Sequence, residues 1–346
     1  MPLFRMLRRC LAPIRLILCA LMAANAAAAE CAGQDLFHAM TPAQRAELDA
    51  AVAGVPHARG IFWRATKGDA RIDIVGTYHF PDLRHAATVA RMAPLIATAG
   101  ALLVEAGPEE EAKLTERLRS DPSLMIDARG PTLPERLGRA DWQRVAQAME
   151  DRGVPAVVAS RLRPWYVAMM LGLSPCMLEQ VQAQGDTGGL DHLLIEQAQE
   201  DGVPVLALEP WDTLFTLFDD MTSGEEEDMI RAALPAARHA DDYATTTLEA
   251  YFAGDIWKIW EFGRLDAHAS SGLSRAEVDR QTALAQAELM DARNRDWTRP
   301  LTDAADRAAA QGRHVVAAFG ALHLPGQNGV LRLLEKDGWT VTEMMP

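Results

Sequence analysis

Four short apolar runs in this chain each end on a residue that can bind a cation or carry a proton. Ile72-Asp73-Ile74-Val75 leads into Gly76-Thr77-Tyr78-His79, and the run from His314 to Phe319 leads into Gly320-Ala321-Leu322-His323. Leu102-Leu103-Val104 stops at Glu105, and Val205-Leu206-Ala207-Leu208 stops at Glu209. Runs this short and this rich in Val, Ile and Leu read as buried strands. They alternate with helical stretches, which is the pattern of an α/β fold. The carboxyl ends of strands in such folds open onto the functional crevice. Two imidazoles and two carboxylates at such ends can therefore meet although they lie far apart in the chain.

The remaining pattern fits that fold. Thr41-Pro42 opens a helix to about Gly54. Residues 61–64 and 71–75 flank a Lys67-Gly68-Asp69 turn, and helices are expected over 84–98, 109–119, 141–151 and 164–173. A Gly-rich approach over 185–189 precedes Asp191, which is placed to cap the helix behind it. From 211 to 310 there is almost no strand signal, so a large helical insertion is expected before the C-terminal strands, with one long helix over 274–299. Strand signal returns at His314 and again over 339–344. The expectation is a mixed central sheet flanked by helices and drawing on both ends of the chain, as one domain over 30–346.

Residues 1–29 read as a secretory signal peptide. Arg5, Arg8, Arg9 and Arg15 form a basic start, Leu16 to Met22 is apolar but too short for a comfortable span, and Ala23 to Ala29 offers cleavage options. Its removal takes four arginines and no acid, moving the net charge from −14 to about −18. An acidic, exported, globular chain is a poor partner for nucleic acid or anionic membrane, and no stable membrane insertion is expected after cleavage. The expected location is the periplasm or beyond. Cys10 and Cys19 leave with the leader, so Cys31 and Cys176 are expected to form one disulfide in an oxidising compartment.

Glycine at the head of each Gly-x-x-His lets the backbone leave its strand and approach other groups closely. This makes Gly76 and Gly320 part of the candidate site with His79 and His323. Glu105 and Glu209 end buried strands, where an unpaired carboxylate is costly, so each is either salt-bridged, a metal ligand or a general base. Imidazole with carboxylate suits Zn, Mn, Co or Fe. Gly-x-Ser-x-Gly, His-Glu-x-x-His, a phosphate-binding loop and a dinucleotide fingerprint are all absent from the sequence.

These stretches resemble the TraB/GumN family, related to the TIKI proteins and to the pheromone-shutdown protein PrgY. The resemblance is carried by Gly76 to His79, the strand closing on Glu105, Gly189-Leu190-Asp191, Leu208-Glu209, Arg293-Asn294, and Gly320 to Leu331 with Gly338-Trp339-Thr340-Val341 behind. It implies a metal-dependent peptidase-like protein in which His79, His323 and Glu105 form the site, with Asp191, Glu209 and Arg293 beside them. Mn or Co is the implied ion, with Zn as an alternative. The expected activity is hydrolysis of a peptide or amide bond in a peptide or protein substrate. Glu105 is expected to ligate the ion or act as base, and Arg293 to stabilise the oxyanion. The alternative is a non-catalytic binder of metal, haem or a signalling peptide in the same crevice.

Overall fold

The computed structural model describes residues 33–184, 188–216, 218 and 221–344. The leader, Cys31 and most of the Gly-rich approach at 185–187 lie outside the described residues. Signal cleavage and the Cys31–Cys176 bridge therefore stand as expectations. Residues Gly33–Pro346 group as one compact unit.

Six strands form one mixed sheet: β1 (Phe62–Lys67), β2 (Ala70–Thr77), β3 (Leu102–Val104), β4 (Val205–Ala207), β5 (Val315–Gly320) and β6 (Thr340–Glu343), in the order β4-β3-β5-β2-β1-β6. The pairs β4/β3, β3/β5 and β5/β2 are parallel, whereas β1 runs antiparallel to β2 and to β6. Four parallel neighbours therefore point their carboxyl ends at one edge. β5 comes last of the four in sequence yet sits between β3 and β2, so its end faces both.

Side-chain alternation along the strands feeds two cores. Ile72, Ile74, Leu103, Val315, Ala317 and Phe319 point to one face, where they meet Trp297, Leu301, Ala304 and Ala308 of the helix Arg293–Ala309 and Leu331 and Leu334 of the helix Val330–Lys336. Val75, Leu102, Val104, Val316 and Ala318 point to the other, against Met92 and Ile96 of the helix His85–Ile96 and Leu190, Leu194 and Ala198 of the helix Leu190–Glu200. A third cluster joins Val145, Met149, Val167, Leu171, Ile230 and Leu234 of three helices away from the sheet.

The helical stretch expected over 211–310 is thus not wholly an insertion. Its last helix covers one sheet face, because Trp297, Leu301, Ala304 and Ala308 recur at helical spacing toward the strands. The helix expected over 274–299 is also divided. Arg275–Gln286 gives way to a π-helical turn, Ala287–Ala292, before Arg293–Ala309 begins. None of the residues in that turn is Gly or Pro, so no local breaker marks it.

Candidate functional site

Strand order alone sets the site residues side by side. Glu209 follows β4, Glu105 follows β3, the 3-10 turn Ala321–His323 follows β5, and His79 follows β2. Two glycines let the last two approach. A Cβ on Gly76 would stand 2.7 Å from Leu324 Cδ1 and 2.9 Å from Ala321 Cα. A Cβ on Gly320 would stand 3.1 Å from Glu105 Oε1, 3.3 Å from His79 Nε2 and 3.6 Å from His323 Cδ2. The space that a side chain at Gly320 would fill is where both imidazoles and the carboxylate meet. Gly189 makes a third close approach, since its Cβ would lie 2.4 Å from the His79 carbonyl oxygen.

Each imidazole is held by its Nδ1, which fixes what its Nε2 can do. Asp191 Oδ2 lies 2.8 Å from His79 Nδ1, and Thr77 Oγ1 donates to Asp191 Oδ1 at 2.5 Å. A carboxylate only accepts, so the His79 Nδ1 carries a proton. Asp191 is therefore not the expected helix cap; Gly189 occupies that position, and the Asp191 side chain turns back to β2. At the other ring, Asn294 Nδ2 donates to the Asn328 carbonyl at 2.9 Å, which turns Asn294 Oδ1 toward His323 Nδ1 at 2.6 Å. That Nδ1 must then carry the proton as well. His79 Nε2 faces the shared space, and His323 Nε2 stands 3.9 Å from Glu105 Oε1 with Arg293 Nη1 at 3.3 Å.

The ring environments differ in charge. His79 is 57% exposed at its side chain, and the attraction of Asp191 outweighs burial and raises its pKa to about 9. His323 is buried under Trp297, ring centroids 4.4 Å apart, and burial pushes its pKa down to about 4. Burial by itself would raise the Glu105 carboxyl. His323, His79, Arg293 and the Gly320 N–H together outweigh it and hold Glu105 down at about 2.

Arg293 ties the carboxylates together. Its Nη2 donates to Glu105 Oε2 at 2.6 Å and to Glu209 Oε1 at 2.7 Å, and its Nε donates to Glu209 Oε2 at 2.8 Å. Nη1 donates to the Leu289 carbonyl at 3.0 Å and faces His323 Nε2 at 3.3 Å. All five N–H donors of the guanidinium are thereby engaged. In this arrangement the oxyanion role expected of Arg293 has no free donor; the side chain positions Glu105 and Glu209 instead. Glu209, expected as a metal ligand, has both oxygens taken by Arg293, and Oε2 also accepts from Trp297 Nε1 at 3.1 Å. Of the readings open to it, the salt-bridged strand end is the one its contacts display.

The sequence gives no separate role to Thr77, Gly189 or Trp297, and Asn294 stands in it only as the neighbour of Arg293. Thr77 and Gly189 lie inside motifs already singled out. Trp297 carries no local signal, since a tryptophan on an amphipathic helix is first of all core.

Among the described residues, no three His, Cys, Asp or Glu side chains stand as a ready metal-binding group. Glu105 Oε2 is drawn to Arg293 while Oε1 accepts from the Gly320 N–H at 2.6 Å. The donors nevertheless fit a divalent ion in kind. Two Nε2 atoms with protons fixed on the far nitrogens adjoin one carboxylate, as second-shell bonds arrange in metal sites. The negative charges of Glu105, Glu209 and Asp191 also exceed the positive charges of Arg293 and His79.

Fold and site together define an α/β protein with paired histidines and carboxylates at the carboxyl edge of its parallel strands. The profile of the TraB/PrgY/gumN family matches residues 61–343, and the chain belongs to that family. Comparison with curated proteins finds no match.

Proposed function

We propose that this chain is a metal-dependent hydrolase of peptide or amide bonds, exported and acting on a peptide or protein substrate. The observation that supports it is the meeting of His79 Nε2, Glu105 Oε1 and the His323 ring around the open position at Gly320. In this reading His79 and His323 hold Mn, Co or Zn through Nε2, with Glu105 beside them. A bound ion supplies a water of lowered pKa and polarises the scissile carbonyl.

The chain's own residues do the rest. Asp191 and Thr77 orient His79, and Asn294 orients His323. Glu105, kept ionised by its neighbours, holds the ion or takes a proton from the attacking water. Arg293 and Glu209 keep that carboxylate aimed at the gap. His79, open to solvent on its outer side, marks where substrate enters.

The test is to strip the purified protein with chelator, restore Mn, Co or Zn, and follow cleavage of a peptide library by mass spectrometry. Metal-stimulated cleavage that disappears in both His79→Ala and Glu105→Ala supports the reading. Stoichiometric metal or a haem absorbance band without any cleavage replaces it with the alternative, a binder using the same crevice.

A further inference from the structure

Beside the site, the helices after β4 leave a cleft of about 670 Å³. That lies within the range of roughly 300–1,000 Å³ for ligand sites. Its apolar wall includes Met229, Ile259, Trp260, Leu284, Leu289 and Leu322. Leu284 in this wall is 54% exposed, so the apolar surface is open to a ligand from outside.

Two wall residues connect the cleft to the chemistry. Leu322 belongs to the turn Ala321–His323 and is the residue directly before His323. Leu289 belongs to the π-helical turn, and its carbonyl accepts from Arg293 Nη1 at 3.0 Å. The inner end of the cleft and the candidate site are therefore built on the same two pieces of backbone.

The charged lining narrows the occupant. Of the charged lining, Asp228 pairs with Arg231 at 2.8 Å and Glu277 with Arg280, which leaves Glu225 and Glu288 as the acidic border of the apolar wall. A fatty-acid carboxylate or an acidic peptide meets repulsion there, whereas an apolar segment flanked by Lys or Arg meets complementary charge.

We propose that this cleft is the substrate groove, and that its occupant is an extended peptide with bulky apolar side chains beside the scissile bond and a basic residue farther out. The chemistry of that bond rests on the hydrolase reading above; the binding does not.

The experiment measures fluorescence anisotropy of labelled peptides with the full-length protein, separately from cleavage. The probes are Lys-Leu-Phe-Leu-Phe-Lys, the same peptide with Asp flanks, and one with Ser and Gly in place of Leu and Phe. The basic apolar peptide is expected to bind about tenfold more tightly than either other, the scale of one or two apolar contacts or one charge preference. Leu284→Ser is expected to weaken it severalfold, and Glu288→Lys to erase the preference between basic and acidic flanks. Both positions are exposed, and unchanged melting curves establish that folding is intact. Equal binding of all three peptides, or indifference to both variants, overturns the proposal. So does displacement by dodecanoate alone, or a dimer in sedimentation that Leu284→Ser dissolves while peptide binding is absent. Selective binding without cleavage overturns the hydrolase reading and leaves the groove. Cleavage without selective binding does the reverse.

Discussion

His79 and His323 have the same chemistry and opposite settings, and the difference lies in the residue behind each Nδ1. Asp191 offers His79 a charge, and Asn294 offers His323 only a dipole. Asn294→Asp should therefore raise the His323 pKa from about 4, a shift readable in a histidine NMR titration. Asn294→Leu leaves the buried His323 Nδ1–H unpaired and should cost about 1–3 kcal/mol in denaturant unfolding. The glycines separate function from folding in another way. Gly320→Ala places a methyl 3.1 Å from Glu105 Oε1 and 3.3 Å from His79 Nε2, so metal uptake and cleavage should fall while the melting temperature changes little. Gly189→Ala meets backbone, the His79 carbonyl at 2.4 Å, and should lower stability by about 1–3 kcal/mol.

At the scale of elements, the helix Arg293–Ala309 serves two structures at once. Its Trp297, Leu301, Ala304 and Ala308 fill the core against the sheet, and its first turn delivers Arg293 and Asn294 to the site. The π-helical turn before it widens the helix locally, as such turns do where function asks for it. It also brings Asp291 Oδ2 within 2.8 Å of Asn328 Nδ2, which links this helix to the final Gly-x-x-His segment. Arg293→Ala should leave Glu105 and Glu209 without the guanidinium that bridges them and cost about 3–5 kcal/mol. Glu209→Gln in the Arg293→Ala background should recover part of that loss in a double-mutant cycle. Trp297→Ala should cost a similar amount, about 3–5 kcal/mol, through the cavity it leaves.

For the whole molecule, these local settings combine into one pH dependence. His79 is raised, so the stability it lends is full below its unfolded pKa and fades as pH climbs through about 9. His323 and Glu105 are lowered, so their contributions are present above their unfolded values. They fade as pH falls through about 4 and about 2. The fold should accordingly be most stable between these limits in chelator-treated protein, as followed by unfolding at stepped pH. Metal uptake should follow a different course. His79 must shed its proton before Nε2 can bind an ion, so affinity should rise by about tenfold per pH unit up to about 9. Calorimetry in buffers of different ionisation heat should count close to one proton released at neutral pH.

Much of this could be read from the chain alone. Strands betray themselves by short apolar runs, and their carboxyl-end residues follow directly, so His79, Glu105, Glu209 and His323 were legible as a group from spacing and strand polarity. Which of them faces which was not, because that depends on β5 sitting between β3 and β2, a pairing between segments more than two hundred residues apart. Tertiary contact also divided the roles. Glu105 and Glu209 look alike in sequence, yet one borders the open space at Gly320 and the other is fully bonded to Arg293 and Trp297. The π-helical turn, the tautomer set by Asn294 and the turn of Asp191 toward His79 were likewise decided by partners from other elements. Local pattern records which face of an element is apolar; it carries no record of which polar atom will stand opposite once the elements pack.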